Sequence, residues 1–254
     1  MMILIFYHLS FIIYPPFAMD ASTIIRQTRD NYNRIAPHFS DTRSRPWGEL
    51  NRLNRYIKDG QKILDWGCGN GRLVQCLGDK KVQYFGVDQS IELIKIARAR
   101  YKKEIDSGRV KFFCVAGGKK NFPDHYFDAV FMIASFFHLP TVASRQNYLD
   151  RIYNQLKSGG KLIMTVWNLE SEWAQEASIK KGWTKIGDHD FLIPWRNPAG
   201  EVLCERYYHA FGRAELRGLL LAAGFRVKSM KYFYGQKQTV AKGGRNLMVV
   251  AVRE

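Results

Sequence analysis

Leu64-Asp65-Trp66-Gly67-Cys68-Gly69-Asn70-Gly71-Arg72 is the stretch on which the fold turns. The run leading into it, Lys62–Trp66, reads as a buried strand, and residues 71–77 after it read as a helix. The three glycines therefore sit where a strand becomes a helix, a place where bare backbone can approach a ligand closely. Their spacing is G-x-G-x-G, whereas the dinucleotide fingerprint is G-x-G-x-x-G. Asp65 at the strand end would repel a pyrophosphate but suits a ligand carrying an ammonium group. Asp88 closes the next strand (82–87), where an acid can accept both hydroxyls of a ribose. Two acids and no phosphate-binding lysine describe S-adenosyl-L-methionine, which has an amine, a sulfonium and a ribose.

Outward from this turn, strand and helix alternate. Helix 90–103, strand 111–115, strand 127–134, helix 141–156 and strand 161–167 follow in order, then helix 214–223. Strands 225–233 and 246–252 have only a Gly-rich link between them and should pair antiparallel. The expected fold is α/β: a Rossmann-like, doubly wound, seven-stranded sheet, mostly parallel with an antiparallel last strand, helices on both faces. Upstream, Ile24, Ile25, Tyr32 and Ile35 recur at helical spacing and Pro37 should stop that helix. A second helix is expected from Pro46, with Trp47, Leu50, Leu53 and Ile57 on one face and Gly60 as its stop. Residues 168–207 fit no strand-helix unit and look like a substrate-facing insertion. Residues 19–254 are expected to be a single domain. Residues 1–18 hold no charged side chain except His8, match neither a secretory signal nor a membrane span, and read as a non-native leader or mis-assigned start.

The chain has 254 residues, 46% of them hydrophobic, which excludes a wholly disordered polypeptide. Its 39 Lys+Arg exceed 23 Asp+Glu, giving a formal net charge of +16. Such a surplus favours a polyanionic partner such as RNA. Cys68, Cys76, Cys114 and Cys204 stand apart with no C-x-x-C, so neither a disulfide framework nor a metal site is encoded, and a cytoplasmic location is expected.

The glycine turn flanked by Asp65 and Asp88 resembles the class I methyltransferases over roughly residues 60–252. A narrower resemblance rests on Asn31-Tyr32-Asn33-Arg34-Ile35-Ala36-Pro37-His38-Phe39-Ser40-Asp41-Thr42-Arg43, Ile133 to Leu139, Phe191 to Trp195, and Arg206-Tyr207-Tyr208-His209-Ala210-Phe211. These are similar to the eukaryotic-type tRNA wobble-uridine carboxymethyl methyltransferases, which esterify 5-carboxymethyluridine in the anticodon loop. The resemblance implies a cofactor site of Tyr32, Arg43, Asp65, Trp66, Gly67, Cys68, Gly69, Asn70, Gly71, Asp88, Gln89, Ile133 and Ala134. Gly117 and Gly118 join it through their backbone, where such enzymes often carry an acid that this chain lacks. It also implies a small zinc-binding activator subunit that adds a strand to the sheet edge at residues 111–116.

Methylating a carboxylate needs no general base, because an acid of pKa about 4 is already ionised at neutral pH. A cation should instead hold one oxygen, and Arg43 and His138 are the catalytic candidates. Arg43 serves equally well as a partner for the cofactor's own carboxylate. Trp195, Arg206, Tyr207, Tyr208 and His209 combine cation, stacking surface and hydrogen bonding, as unstacked anticodon bases require. Two other functions remain open from the residues: a small-molecule methyltransferase acting on a metabolite carboxylate or quinone precursor, and a non-catalytic cofactor-binding scaffold.

Overall fold

Apolar residues on both faces of successive strands dictate a sheet covered on both sides. The computed structural model has such a sheet, and describes residues 20–43, 50–115 and 120–254. The readings of the leader, of Pro46 and Trp47, and of Gly117 and Gly118 fall outside the described residues. Helix α1 (Ala21–Asp41) comes first. The parallel half is β1 (Lys62–Trp66), β2 (Gln83–Asp88), α2 (Ile91–Arg100), α3 (Lys102–Asp106), β3 (Val110–Cys114), β4 (Phe127–Ile133), α4 (Val142–Gln155) and β5 (Leu156–Trp167). Helix α5 (Glu172–Lys181) leads to the short strands β6 (Thr184–Lys185), β7 (Asp190–Arg196) and β8 (Val202–His209). Helix α6 (Arg213–Ala222), β9 (Phe225–Tyr234), β10 (Lys237–Thr239) and β11 (Asn246–Arg253) complete the chain.

The strand order is β10-β9-β11-β5-β4-β1-β2-β3, with β11 antiparallel to both its neighbours. The sheet has eight strands rather than the expected seven. The extra one, β10, folds back on β9 through Gly235, and three residues are too few to leave a periodic signal. Alternation along each strand divides the core between the faces. Leu64, Trp66, Val130 and Met132 pack on one side, and Ile63, Tyr84, Ala129 and Phe131 on the other.

Several expected elements differ, among them helix 90–103, which breaks at Tyr101 into α2 and α3. Helix α1 does not stop at Pro37 but runs on to Asp41. Proline removes one backbone donor there, yet Ile35 and Ala36 before it and Ser40 after it are buried, so packing carries the helix through. The segment after the glycine turn is a 3-10 helix, Arg72–Cys76, and so is Leu50–Tyr56, expected as an α-helix. Short runs of this kind are where the tighter 3-10 turn is commonly found.

The insertion is not irregular. Strands β6, β7 and β8 form a separate antiparallel sheet, extending to His209, two residues beyond the expected limit. Two groups of contacts fasten it. Asn31 and Arg34 of α1 donate to the carbonyls of Glu205 and Leu203 on β8, at 2.6 and 3.1 Å. On the far side His209 bridges Asp190 (2.7 Å) and Glu215 (3.0 Å), and Arg145 of α4 pairs with Glu215 at 3.2 Å. Among the described residues no helix is long and apolar enough to cross a membrane.

Candidate active site

In a doubly wound sheet the ligand crevice lies at the carboxyl ends of the strands where their order reverses. Here that point is between β1 and β4. A cleft opens there, walled by the ends of β1, β2 and β4, the glycine turn, and one face of α1. Ile25, Thr28, Arg29 and Tyr32 line it at successive helical turns.

The glycine turn is held in place by groups on the neighbouring strands. Gly67 has φ +77°, and a Cβ there would fall 2.4 Å from the Cβ of Ser135. Ser135 in turn donates its hydroxyl to the Trp66 carbonyl at 2.9 Å. It is aimed that way by Ala134, whose left-handed φ of +53° is held by bonds from its N–H to the Thr165 carbonyl and hydroxyl. Asp88 accepts from the Gly69 N–H and the Ser90 N–H, both at 2.8 Å, tying the turn to the start of α2. Asp65 is 3% exposed and accepts from the Tyr84 hydroxyl at 2.6 Å. Burial pushes its carboxyl up to about 7, reinforced by Asp88, against the opposing Tyr84 hydrogen bond and the charge of Arg72. Burial also raises Asp88, against three backbone donors.

Asp65, Trp66, Gly67, Cys68, Gly69 and Asn70 line the cleft as expected, and so do Asp88, Gln89, Ile133 and Ala134. Tyr32 and Arg43 face it from α1 and its end. Gly71 does not. A Cβ on Gly71 would sit 2.8 Å from the rings of Phe112 and Tyr101, so this glycine makes room for the wall behind the cleft rather than for a ligand.

The cleft is also lined by arginines. Arg206 is 3% exposed and lies 4.8, 5.2 and 5.8 Å from the ring centres of Trp195, Tyr208 and Tyr32. Among the described residues no acid pairs with it, and its Nε is buried without a partner. Arg43 stacks over Phe39 and over Trp195, a ring it shares with Arg206, at 4.4 and 4.8 Å. Arg72 also reaches the cleft, where burial, and next the charge of Arg43, lower it to about 10.

His138 does not supply the expected cation. Its Nδ1 is 2.7 Å from the Tyr207 carbonyl, which can only accept, so that nitrogen carries the proton. Burial pushes the imidazole down to about 3, with the Tyr207 carbonyl opposing and the charge of Arg206 adding to the fall. The ring is therefore neutral at neutral pH, and its Nε2 accepts the Tyr32 hydroxyl at 2.9 Å. Tyr32, its proton so committed, turns only an acceptor toward Arg206, 3.5 Å away.

The expected stacking surface is likewise revised. Alternation along β8 sends Arg206 and Tyr208 to the cleft, and Tyr207 and His209 to the other side. There the Tyr207 hydroxyl donates to Asp190 at 2.5 Å, and His209 joins the bridge to Glu215. Tyr208 is 1% exposed and stacks on Phe137 and Trp167 at 4.7 and 5.1 Å, so its ring belongs to the core. Trp195 does not line the cleft; it spaces the two guanidinium groups and donates its indole N–H to His38 at 3.0 Å.

A family model described as a methyltransferase domain matches residues 64–164, the span from the glycine turn to β5. A putative methyltransferase of Encephalitozoon cuniculi is 32% identical over 199 residues, covering 77% of this chain and 85% of its own length. The chain belongs to the S-adenosylmethionine-dependent methyltransferases. The tRNA (carboxymethyluridine(34)-5-O)-methyltransferase of Schizosaccharomyces pombe is 28% identical to this methyltransferase over 211 residues, which is 76% of this chain and 86% of the relative. Among solved structures, the complex between the Haloferax volcanii Trm112 methyltransferase activator and a putative methyltransferase superposes with a TM-score of 0.65. Its identity is 19%, over 89% of this chain and 97% of that one, so the likeness speaks to the fold.

The residues present suit S-adenosylmethionine. A buried carboxylate, Asp65, and a half-buried one, Asp88, at adjoining strand tips match its ammonium group and ribose, and the buried Nδ2 of Asn70 and hydroxyl of Thr28 line the cleft without a partner among the described residues. Ser135, Thr28 and Arg72 also line the cleft, and the sequence reading missed them. Thr28 and Tyr32 share a helix face, and that four-residue spacing is the signal that could have found Thr28. Nothing local marks Ser135, whose role appears only once β4 lies beside β1.

Proposed function

We propose that this methyltransferase esterifies the carboxylate of a 5-carboxymethyl group on the wobble uridine of tRNA. The observation that carries the reading is the mixed charge of one cleft: it is lined by Asp65 and Asp88 and also by Arg43 and Arg206, and among the described residues no acid pairs with Arg206. A cationic methyl donor and an anionic acceptor are thereby drawn to adjoining sites. An amine or phenol acceptor would instead call for a base, and the Nε2 of His138 is taken by the Tyr32 hydroxyl while burial lowers the basicity of the ring. The specificity named for the Schizosaccharomyces pombe relative, and the charge of +16, support a tRNA substrate.

When bound, S-adenosylmethionine supplies an electrophilic methyl on a positively charged sulfur. Asp65 would take its ammonium group and Asp88 its ribose hydroxyls. Arg206 would grip one oxygen of the substrate carboxylate, leaving the other free to attack in line. Tyr32, held as an acceptor by His138, cannot donate to that attacking oxygen and so does not blunt it. No proton moves, and the protein contributes by desolvation and alignment, which at best lower such a barrier by about 7–11 kcal/mol.

A small activator subunit is part of the same reading. β3 is the last strand of the sheet, and Phe113 on it is only half covered. One edge carbonyl, that of Phe112, is met by Arg98 at 2.7 Å, and a partner strand would pair with the rest. If the purified chain alone is monodisperse and fully active on tRNA, the partner is unnecessary. The catalytic assignment is tested by nucleoside mass spectrometry of tRNA from a strain lacking the gene. Loss of the wobble ester with accumulation of the free acid is expected; unchanged ester would refute it.

A further inference from the structure

Tyr84 is a fully buried tyrosine in a core where phenylalanine would fill nearly the same space. A buried phenol needs a hydrogen-bond partner, and here the partner is Asp65. The register pairs Ile63 with Tyr84 and Asp65 with Gly86, so Tyr84 and Asp65 project to one face of the sheet on adjacent strands, diagonally placed. The hydroxyl donates to Oδ2 of Asp65 at 2.6 Å. Asp65 itself lines the cleft, which leaves Oδ1 for a ligand.

We propose that Tyr84 is a positioning residue of the cofactor site: by occupying Oδ2 from beneath, it fixes the Asp65 carboxylate with Oδ1 presented to the ligand's ammonium group. The inference rests on the assignment of Asp65 to that group. The groups facing Asp65 are Tyr84 and Asp88 from β2, Arg72 from the segment after the glycine turn, and the thiols of Cys68 and Cys76. Burial and Asp88 oppose its ionisation, while the Tyr84 hydrogen bond and Arg72 favour it. Removing the hydroxyl weakens the favourable side, so Asp65 takes up a proton at a higher pH. A protonated Asp65 no longer attracts an ammonium group. Affinity for the ligand should thus fall as pH drops through the Asp65 value, and without the hydroxyl the fall should begin at higher pH.

The test is calorimetric affinity of the full chain for S-adenosylhomocysteine, which carries the ammonium group but cannot react, from pH 6 to 8.5. If losing the hydroxyl raises Asp65 by about one pKa unit, Tyr84→Phe should bind about fivefold more weakly at pH 7 and about tenfold at pH 6, with the gap narrowing toward pH 8.5. 5′-Methylthioadenosine, which lacks the amino-acid end, should bind both proteins alike at every pH. Equal affinities throughout, or one constant gap for both ligands, would overturn the proposal. Should Tyr84→Phe not fold, the wild-type chain still decides: its preference for S-adenosylhomocysteine over methylthioadenosine must shrink below pH 7, and a flat preference overturns the idea. Asp65→Asn separates the two layers. If it leaves S-adenosylhomocysteine affinity unchanged, the assignment of Asp65 fails. If it weakens binding while Tyr84→Phe does not, the role of Tyr84 alone fails.

Discussion

Arg206 is surrounded by aromatic faces and, among the described residues, has no acid paired with it, an expensive arrangement for a buried guanidinium unless an anion completes it. Arg206→Lys keeps a charge but loses the planar fork. It should lower kcat/KM for methyl transfer by about a hundredfold, or about 3 kcal/mol, with S-adenosylhomocysteine affinity unchanged; parallel loss of both would place Arg206 on the cofactor. His138 and Tyr32 act as one unit, because the ring fixes where the phenol proton points. The Tyr32→Phe, His138→Ala double variant should therefore transfer methyl groups no more slowly than the worse single one. Strict multiplicativity would show that the two side chains act separately. Since the imidazole stays neutral above about 3, His138 should put no inflection in the rate between pH 6 and 9.

The turn after β1 and the turn after β4 lock each other, with Gly67 and Ser135 as the point of contact. Gly67→Ala forces a Cβ into Ser135 at a positive φ, and should cost about 3 kcal/mol. For a chain of this size that is a fall in Tm of about 6–12 °C, readable by calorimetry; an unchanged Tm would mean the turn has room. The bridge from the inserted sheet to α6 has its own signature. Burial works to raise Glu215, but the hydrogen bond and charge of His209, with Arg145, hold it below the ordinary glutamate range. A depressed acid stabilises the fold above its unfolded pKa and loses that contribution as pH falls through the folded value. The Tm advantage of wild type over Glu215→Gln should accordingly be present at pH 7 and vanish below pH about 4; a gap that persists in acid would contradict the bridge.

What the sequence revealed and what it hid divide along the same lines. Asp65, Asp88 and the glycine turn were legible because their meaning depends only on residues a few positions away. The helix face of α1 and the Ser135 contact were not, since both depend on elements far apart in the chain. Pro37 misled because a local rule met a buried surface that overrode it. The run Arg206-Tyr207-Tyr208-His209 was read by composition, whereas strand parity assigns alternate members to opposite sides. His138 sits where the resemblance put it, but burial changed its chemistry from cation to neutral acceptor.

Over the entire chain there is a surplus of 16 positive charges, and the cleft itself is lined by both acids and arginines. The outer charge has no sequence preference, so tRNA affinity should fall steeply between about 50 and 200 mM salt. Affinity for S-adenosylhomocysteine should move far less, and equal salt sensitivity would argue against a phosphate-backbone partner. The acceptor's identity rests instead on Arg206, which no acid pairs with among the described residues. Methyl transfer from labelled S-adenosylmethionine should be compared between two tRNAs that differ only at the wobble uridine, one carrying a 5-carboxymethyl group and the other its neutral 5-carbamoylmethyl isostere. Label appearing as the methyl ester on the first and none on the second is expected of a cleft with a cationic grip on its acceptor. Comparable transfer to both, or to a tRNA lacking the side chain, would contradict it.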